Sequence, residues 1–468
     1  MADGRKMTGA RGMQAERRTV VPTALVLAAH DWPLAAFLAI ALRRSGFSVM
    51  GLCPRRHALR HTAAVDRCFG LSRLRSSLSL LRAIRRSSPG ILIPTDDESV
   101  YALYDLHARC ARGGGEEASA IAHLIEHSLG DPGSFATARS KSAFLRCAGS
   151  CGVRIPATQE LRDAADLTAH CAAAAPPFVL KQDGTYGGLG VIVAHSKTEA
   201  ERALRRLHLR VMANALRRLF STGNYASLLA ALTARPVVSV QQYVAGRLAN
   251  RAVLCWRGRV LAGLTVATLE SDPFPNGPAT VVEFIDEPEI DRVVETLVAR
   301  LGLSGFCGFD FILERETERP FLLELNPRAT SACWLGTSAH SDLCAALFRA
   351  VKDGAESDVR TAAQSQGLAG EKAALFPQEW MRSHTSLHLA TSYHRVPWDD
   401  PKLVAFLARA AGAQRRRVNR GFFSRLLRRV ALGKDWQQQS PRSAAAVSGG
   451  ADDATAISRP APSASTES

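Results

Sequence analysis

Residues 305–330 read GFCGFDFILERETERPFLLELNPRAT. The stretch predicts two strands joined by a tight polar turn. Phe306 to Leu313 is apolar and aromatic, Glu314–Glu318 is charged, and Phe321 to Leu325 alternates until Asn326-Pro327 stops it, because proline cannot donate to a ladder. Successive side chains of a strand point to opposite faces, so Glu324 and Asn326 are expected to point one way and Leu323 and Leu325 the other. If the strands pair as a hairpin, Asp310 lies beside Glu324, and two carboxylates and a carboxamide converge on one point. Clustered oxygens suit a hard cation such as Mg2+, which is held by a couple of carboxylates together with nucleotide phosphates. Two acids on an ordinary amphipathic hairpin would need no ligand. Here they sit inside strongly apolar strands, with Arg328 directly after Asn326-Pro327, and that context points to a site.

Upstream segments carry complementary chemistry. Phe178-Val179-Leu180-Lys181 is a strand ending in lysine, and it runs into Gly184-Thr185-Tyr186-Gly187-Gly188-Leu189-Gly190-Val191. Glycine lacks Cβ and tolerates positive φ, so such a turn can bring its N–H groups close to phosphate oxygens. Ser196-x-x-Glu199 forms a capping box that opens the next helix. Ser140-Lys141-Ser142-Ala143-Phe144 opens a shorter one.

The pattern G-F-D-F…L-L-E-L-N-P-R resembles the metal-binding end of the ATP-grasp superfamily of carboxylate–amine ligases. Lys141, then Lys181 with its Gly loop, then Asp310, Glu324 and Asn326 follow in that family's order, and the resemblance covers roughly 20–350. It implies an α/β and α+β chain: two lobes clasping ATP, preceded by a parallel α/β domain. It further implies ATP with Mg2+ (or Mn2+), the metal on Asp310, Glu324 and Asn326. Lys141, Lys181, Gly187, Gly188 and Gly190 would meet the phosphates. Val237–Gly246 resembles the hinge strand that receives adenine, with Gln242, Tyr243 and Val244 around the base. Arg328 and Lys181 would be the catalytic residues. Arg328 either holds a substrate carboxylate or acyl phosphate in its planar fork, or forms a salt bridge that orients Glu324. The family commonly places a glutamate after the hinge to hold the ribose hydroxyls. This chain departs from that pattern, with no acid between Gln242 and Glu270.

The implied activity is ligation of a small-molecule carboxylate to an amine through an acyl phosphate. The alternative keeps the fold but makes the chain a nucleotide-binding or membrane-associated regulatory module with little turnover. A homodimer is compatible with either.

A length of 468 residues suggests about three domains. The expected order is a disordered basic leader (1–18), an N-terminal parallel α/β domain (19–135), a small lobe with the Gly-rich loop and a helical insertion (136–240), and a metal and catalytic lobe (241–352). A C-terminal extension (353–438) and a disordered tail (439–468) complete it. Thr95-Asp96-Asp97-Glu98 follows the strand Ile91–Pro94 at the carboxyl end, where open α/β sheets place ligands. These acids either face the substrate or cap the helix 98–110. Asp286 is expected to cap a helix over 287–301, and 199–234 reads as an inserted helical pair. Phe376 to Pro401 matches no part of the family pattern.

The net charge is +16, carried mostly by arginine. No nucleic-acid motif accompanies it, so nucleic acid is not an expected partner. Residues 412–434 hold eight basic residues and no acid. This amphipathic stretch would either lie on an anionic membrane surface or pack against the body of the protein. The ten cysteines include no C-x-x-C pair, which suggests reduced thiols and a cytoplasmic location. Val20 to Leu42 is apolar, but His30, Asp31 and Pro33 split it into pieces too short to span a bilayer.

Overall fold

The computed structural model describes residues 21–72, 76–182, 190–222 (backbone alone for 210–222), 237–272, 277–336, 341–353, 369–392 and 396–412. The leader, the glycines 187 and 188, the second half of the insertion, most of the 353–370 linker, the basic stretch from 413 onward and the tail lie outside them.

The first sheet is wholly parallel. Its strands β1 (Thr23–Leu27), β2 (Ser48–Cys53), β3 (Arg67–Gly70) and β4 (Ile91–Pro94) lie in the order β3-β2-β1-β4. Alternation along β1 sends Ala24 and Val26 into one hydrophobic core and Leu25 and Leu27 into a second. Burial on both faces is what helices on both sides of a parallel sheet require. Among the described residues no helix is long and apolar enough to cross a membrane.

A smaller antiparallel sheet follows, formed by β5 (Thr158–Leu161), β6 (Phe178–Gln182), β7 (Val191–Ala194) and β8 (Val238–Gln242) in the order β5-β8-β6-β7. Its core of Leu167, Phe178, Leu180, Leu207, Val238 and Val240 shares no member with the other two. The covering helix Lys197–Thr222 starts with the Ser196 half of the expected capping box, the Glu199 side chain bonding one residue before the cap. Ser196 accepts from the Glu199 N–H at 3.2 Å, while the Glu199 carboxylate reaches back to the His195 N–H at 2.7 Å.

The largest sheet is built from β9 (Gly246–Trp256), β10 (Arg259–Ser271), β11 (Ala279–Ile285), β12 (Gly305–Glu314), β13 (Pro320–Asn326) and β14 (Lys372–Ala374). Their order is β13-β12-β9-β10-β11-β14. Arg257 and Gly258, both at positive φ, make the two-residue turn between β9 and β10. The helix before the hairpin spans Pro288–Leu301. Its cap is Glu287, which accepts the Glu289 N–H, and not Asp286 as expected; Gly302 closes it in the left-handed conformation.

The hairpin β12–β13 contains one further departure. Asp310 opposes Glu324 but Phe311 opposes Leu322, so Leu323 is an extra residue on β13. This bulge breaks the alternation. Leu322 and Leu325 enter the core, whereas Leu323 stays partly exposed. Glu324 and Asn326 keep the common face expected of them.

The C-terminal segment, unplaced by its sequence, closes the structure. β14 pairs with β11 at the sheet edge. Phe376 then packs edge-on against Phe37, 6.5 Å between ring centres. The helix 401–412 sends Leu403 and Leu407 into the core that contains Val26. Asp400 fixes its start, accepting the N–H groups of Leu403 at 3.3 Å and Ala63 at 2.8 Å.

Candidate active site

Three strands place one polar row. Asp310 in β12 has Glu324 of β13 on one side and Asn250 of β9 on the other. Asn250 and Asn326 each donate an amide N–H to one oxygen of Asp310, at 2.6 and 2.8 Å. Close approach here depends on Gly308. A Cβ at that position would lie 2.2 Å from Thr330 Cγ2, and Thr330 in turn donates its hydroxyl to Asn250 Oδ1 at 3.3 Å.

Two lysines reach this row from outside the sheet. Lys141 opens the helix Lys141–Ser150, whose cap is Ser140 and whose Phe144 and Leu145 pack into the core beneath the hairpin. Its Nζ lies 2.7 Å from Glu324 Oε2, with both side chains about a quarter exposed and so accessible to a ligand. Lys181, on β6 of the smaller sheet, interacts electrostatically with Glu324, Lys141 and Asp310.

The charges distort one another. Burial and the neighbouring Glu324 carboxylate push Asp310 up to about 7. Burial would also raise Glu324, but Lys141 and Lys181 outweigh it and hold that carboxyl at about 2. Burial lowers Lys181 to about 8, with Lys141 adding to the effect and Glu324 opposing it. Two carboxylates forced together, one of them near its titration point, leave room for additional positive charge.

Arg328 is 7% exposed. Its Nε donates to Asp97 Oδ1 at 2.7 Å, its Nη2 donates to Asn326 Oδ1 at 3.0 Å, and its guanidinium lies 5.8 Å from the centre of the Trp32 ring. Of the two expected roles, the salt bridge is present, but its partner is Asp97 and not Glu324. The acids after β4 thus divide the work. Asp96 caps the helix Asp97–Gly113 and accepts the N–H groups of Ala29 and His30. Asp97 turns toward Arg328. A cavity of about 30 Å³ lies between Asp97, Tyr101, Lys141, Glu324, Asn326 and Arg328.

Residues 145–332 match the family model described as an ATP-grasp domain. This part of the chain is an ATP-grasp domain. Solved structures share the fold. Carboxyaminoimidazole ribonucleotide synthase from Aspergillus clavatus, complexed with ATP, is 17% identical with a TM-score of 0.51, the match covering 71% of this chain and 77% of that one. A Campylobacter jejuni biotin carboxylase complex gives 14%, 0.52, and 71% of each chain. The biotin carboxylase domain dimer of the Hydrogenobacter thermophilus 2-oxoglutarate carboxylase, solved with MgADP, ADP and bicarbonate, gives 13%, 0.51, 75% and 72%.

Within the ATP-grasp domain, the residues expected around adenine form the link from β8 to β9. Gln242 exchanges backbone and side-chain hydrogen bonds with Ala157, Tyr243 is 40% exposed, and Val244 is buried. Gly246 must be glycine, since its Cβ would sit 1.9 Å from the Leu313 carbonyl oxygen. Of the glycines expected at phosphate, Gly190 accepts the Gln182 N–H at 3.0 Å. Gly187 and Gly188 lie outside the described residues. Glu270, the first acid after the hinge, pairs with Arg382 at 3.3 Å.

Asn250, Thr330, Trp32 and Tyr101 went unread in the sequence. Asn250 shares β9 with Arg247 and Arg251, so an uncharged amide beside two arginines was a weak signal. The other three owe their place to distant pairing alone. Among the described residues no three His, Cys, Asp or Glu side chains gather into a metal cage. The two carboxylates fit a hard cation shared with phosphates, whereas the Asn326 oxygen expected to join them faces Arg328 and its amide N–H faces Asp310.

Proposed function

We propose that the chain is an ATP- and Mg2+-dependent ligase that activates a carboxylate as an acyl phosphate for attack by an amine. The observation that carries this reading is the convergence of Asp310, Glu324 and Asn326 with Lys141 and Lys181. Asp310 and Glu324 would hold Mg2+ (or Mn2+), joined by Asn326 once its amide turns to offer its oxygen, and the cation would neutralise charge on the nucleotide phosphates. In the first step a substrate carboxylate oxygen bonds to the γ-phosphorus and ADP leaves. In the second the amine bonds to the acyl carbon, phosphate leaves, and the amine gives up a proton. Such catalysis is mainly positioning and charge stabilisation. Lys141 and Lys181 would take up phosphate charge as they leave Glu324. Arg328, held by Asp97 and Asn326, would position the acyl group. The domains proposed for this work are the parallel N-terminal unit and the two lobes carrying β5–β8 and β9–β13.

The test is Mg2+-dependent ADP release from ATP against pools of carboxylates, with and without hydroxylamine, for the wild type and Glu324→Ala. Hydroxylamine traps an acyl phosphate as a hydroxamate. ADP and hydroxamate that disappear in the variant support the ligase. Nucleotide binding without turnover in any pool moves the reading to a regulatory module, and no nucleotide binding sinks both.

A further inference from the structure

A second, larger cleft of about 640 Å³ borders the candidate active site and shares Asp97 and Tyr101 with it. One continuous face of the helix Asp97–Gly113 forms its wall, through positions 97, 98, 101, 102, 105, 108, 109 and 112. The spacing of three and four is that of a helix face. Its charges are sorted along the axis. Asp97 is already neutralised by Arg328 and Asp105 by Arg139, each at 2.7 Å. The acid that remains at the end near the site is Glu98, 57% exposed and 3.5 Å from His30. At the far end stand Arg109 and Arg112, both exposed and neither in an ion pair among the described residues. At 1.5 Å rise per residue, Glu98 and Arg109 are separated by about 16 Å along the axis.

His30 is firmly set at the acidic end. Its N–H donates to Asp96 at 3.0 Å and its carbonyl oxygen accepts from His57 Nε2 at 2.9 Å. His57 is fully buried, and its Nδ1 accepts the Leu59 N–H, so the imidazole is locked in one tautomer. The acidic end is therefore built on a rigid support.

We infer that this cleft binds the amine substrate, and that the substrate is an elongated amine carrying a remote anionic group: ammonium at Glu98, anion at Arg109 and Arg112. The inference rests on the ligase reading and names its nucleophile by class. Either a phosphate or a carboxylate would satisfy two arginines.

The experiment uses the full chain and two series of probes of increasing alkyl length, ω-aminoalkyl phosphates and ω-amino carboxylates, with hexylamine and inorganic phosphate as single-ended controls. Binding is read by calorimetry. Tailed amines should bind the wild type at least about tenfold more tightly than hexylamine. Arg109→Ala/Arg112→Ala should remove that advantage and weaken phosphate binding, while Glu98→Gln should weaken the amines and leave phosphate unaffected. The series that binds better identifies the anion. These side chains are exposed, so thermal unfolding of the variants should match the wild type. Tailed amines that bind no better than hexylamine, fail to bind, or ignore the double arginine variant overturn the inference. MgADP binding by the wild type, measured alongside, judges the ligase reading separately.

Discussion

Asp310 should make divalent-metal binding depend steeply on pH. Its carboxyl is raised from 3.8 to about 7, because it is buried beside a Glu324 carboxylate whose charge Lys141 and Lys181 stabilise. Near pH 6 about nine in ten Asp310 side chains are then protonated, and near pH 8 about one in ten. A cation on that oxygen must displace the proton, since ligating carboxylates bind deprotonated. Mn2+ affinity, measured with ADP present, should fall about tenfold per pH unit below 7 and flatten above 8. Subtracting the Asp310→Asn profile cancels the nucleotide's own protons. The same shift bears on stability, and its sign is fixed. The folded state binds this proton more tightly than the unfolded chain, so its stabilising effect is full below about 4 and is lost as pH rises to 7. The loss is at most about 4 kcal/mol. Asp310→Asn should thus unfold at higher temperature than the wild type near pH 8 without metal, and the gap should close near pH 4. A Mn2+ affinity that is flat between pH 5.5 and 7, or that varies equally in Asp310→Asn, would refute the reasoning.

Three other outcomes follow from named contacts. Arg328→Met should cost about 3–5 kcal/mol in urea unfolding, because it strands Asp97 and the Asn326 oxygen. The lower end is expected, since Asp97 is 23% exposed, and a loss under 1 kcal/mol would contradict the geometry. Gly308→Ala should cost about 1–3 kcal/mol through its clash with the Thr330 methyl; adding Thr330→Ser, which removes that methyl, should recover most of the loss, and simple additivity would count against the contact. Leu407→Ala should cost about 2–5 kcal/mol, whereas an unchanged unfolding midpoint would mean that the helix 401–412 is not docked on the core.

The candidate site was legible where chemistry and local pattern coincided. Asp310 and Glu324 announced themselves as acids in apolar strands, and a hairpin of that length admits few registers. Lys141 and Lys181 stood out because the chain has only eight lysines. The Leu323 bulge was illegible, since it exists only in the pairing of two strands. Asn250 is 60 residues from Asp310, a separation that no window on the sequence spans. Asp96 and Asp97 are chemically identical neighbours, and only the positions of Ala29 and Arg328 decide which one caps. Asp286 and Glu287 posed the same choice. Leu403, Phe406, Leu407 and Ala411 have helical spacing, but a helix of about three turns does not tell which surface it covers, and Phe376 stands apart from any periodic run.

The return of the C-terminal segment has a consequence for biosynthesis. The Ala63 N–H finds its acceptor in Asp400, 337 positions later, and Arg44 finds Asp399 after 355. At about 5–20 residues per second, the N-terminal unit waits roughly 20–70 s on the ribosome before its own cover is made. Nascent chains arrested before residue 399 should therefore be cut by protease around 44–63, where the released protein resists. Throughout that interval the apolar surface destined for Leu403 and Leu407 faces the cell uncovered, and it is the natural point of engagement for a chaperone.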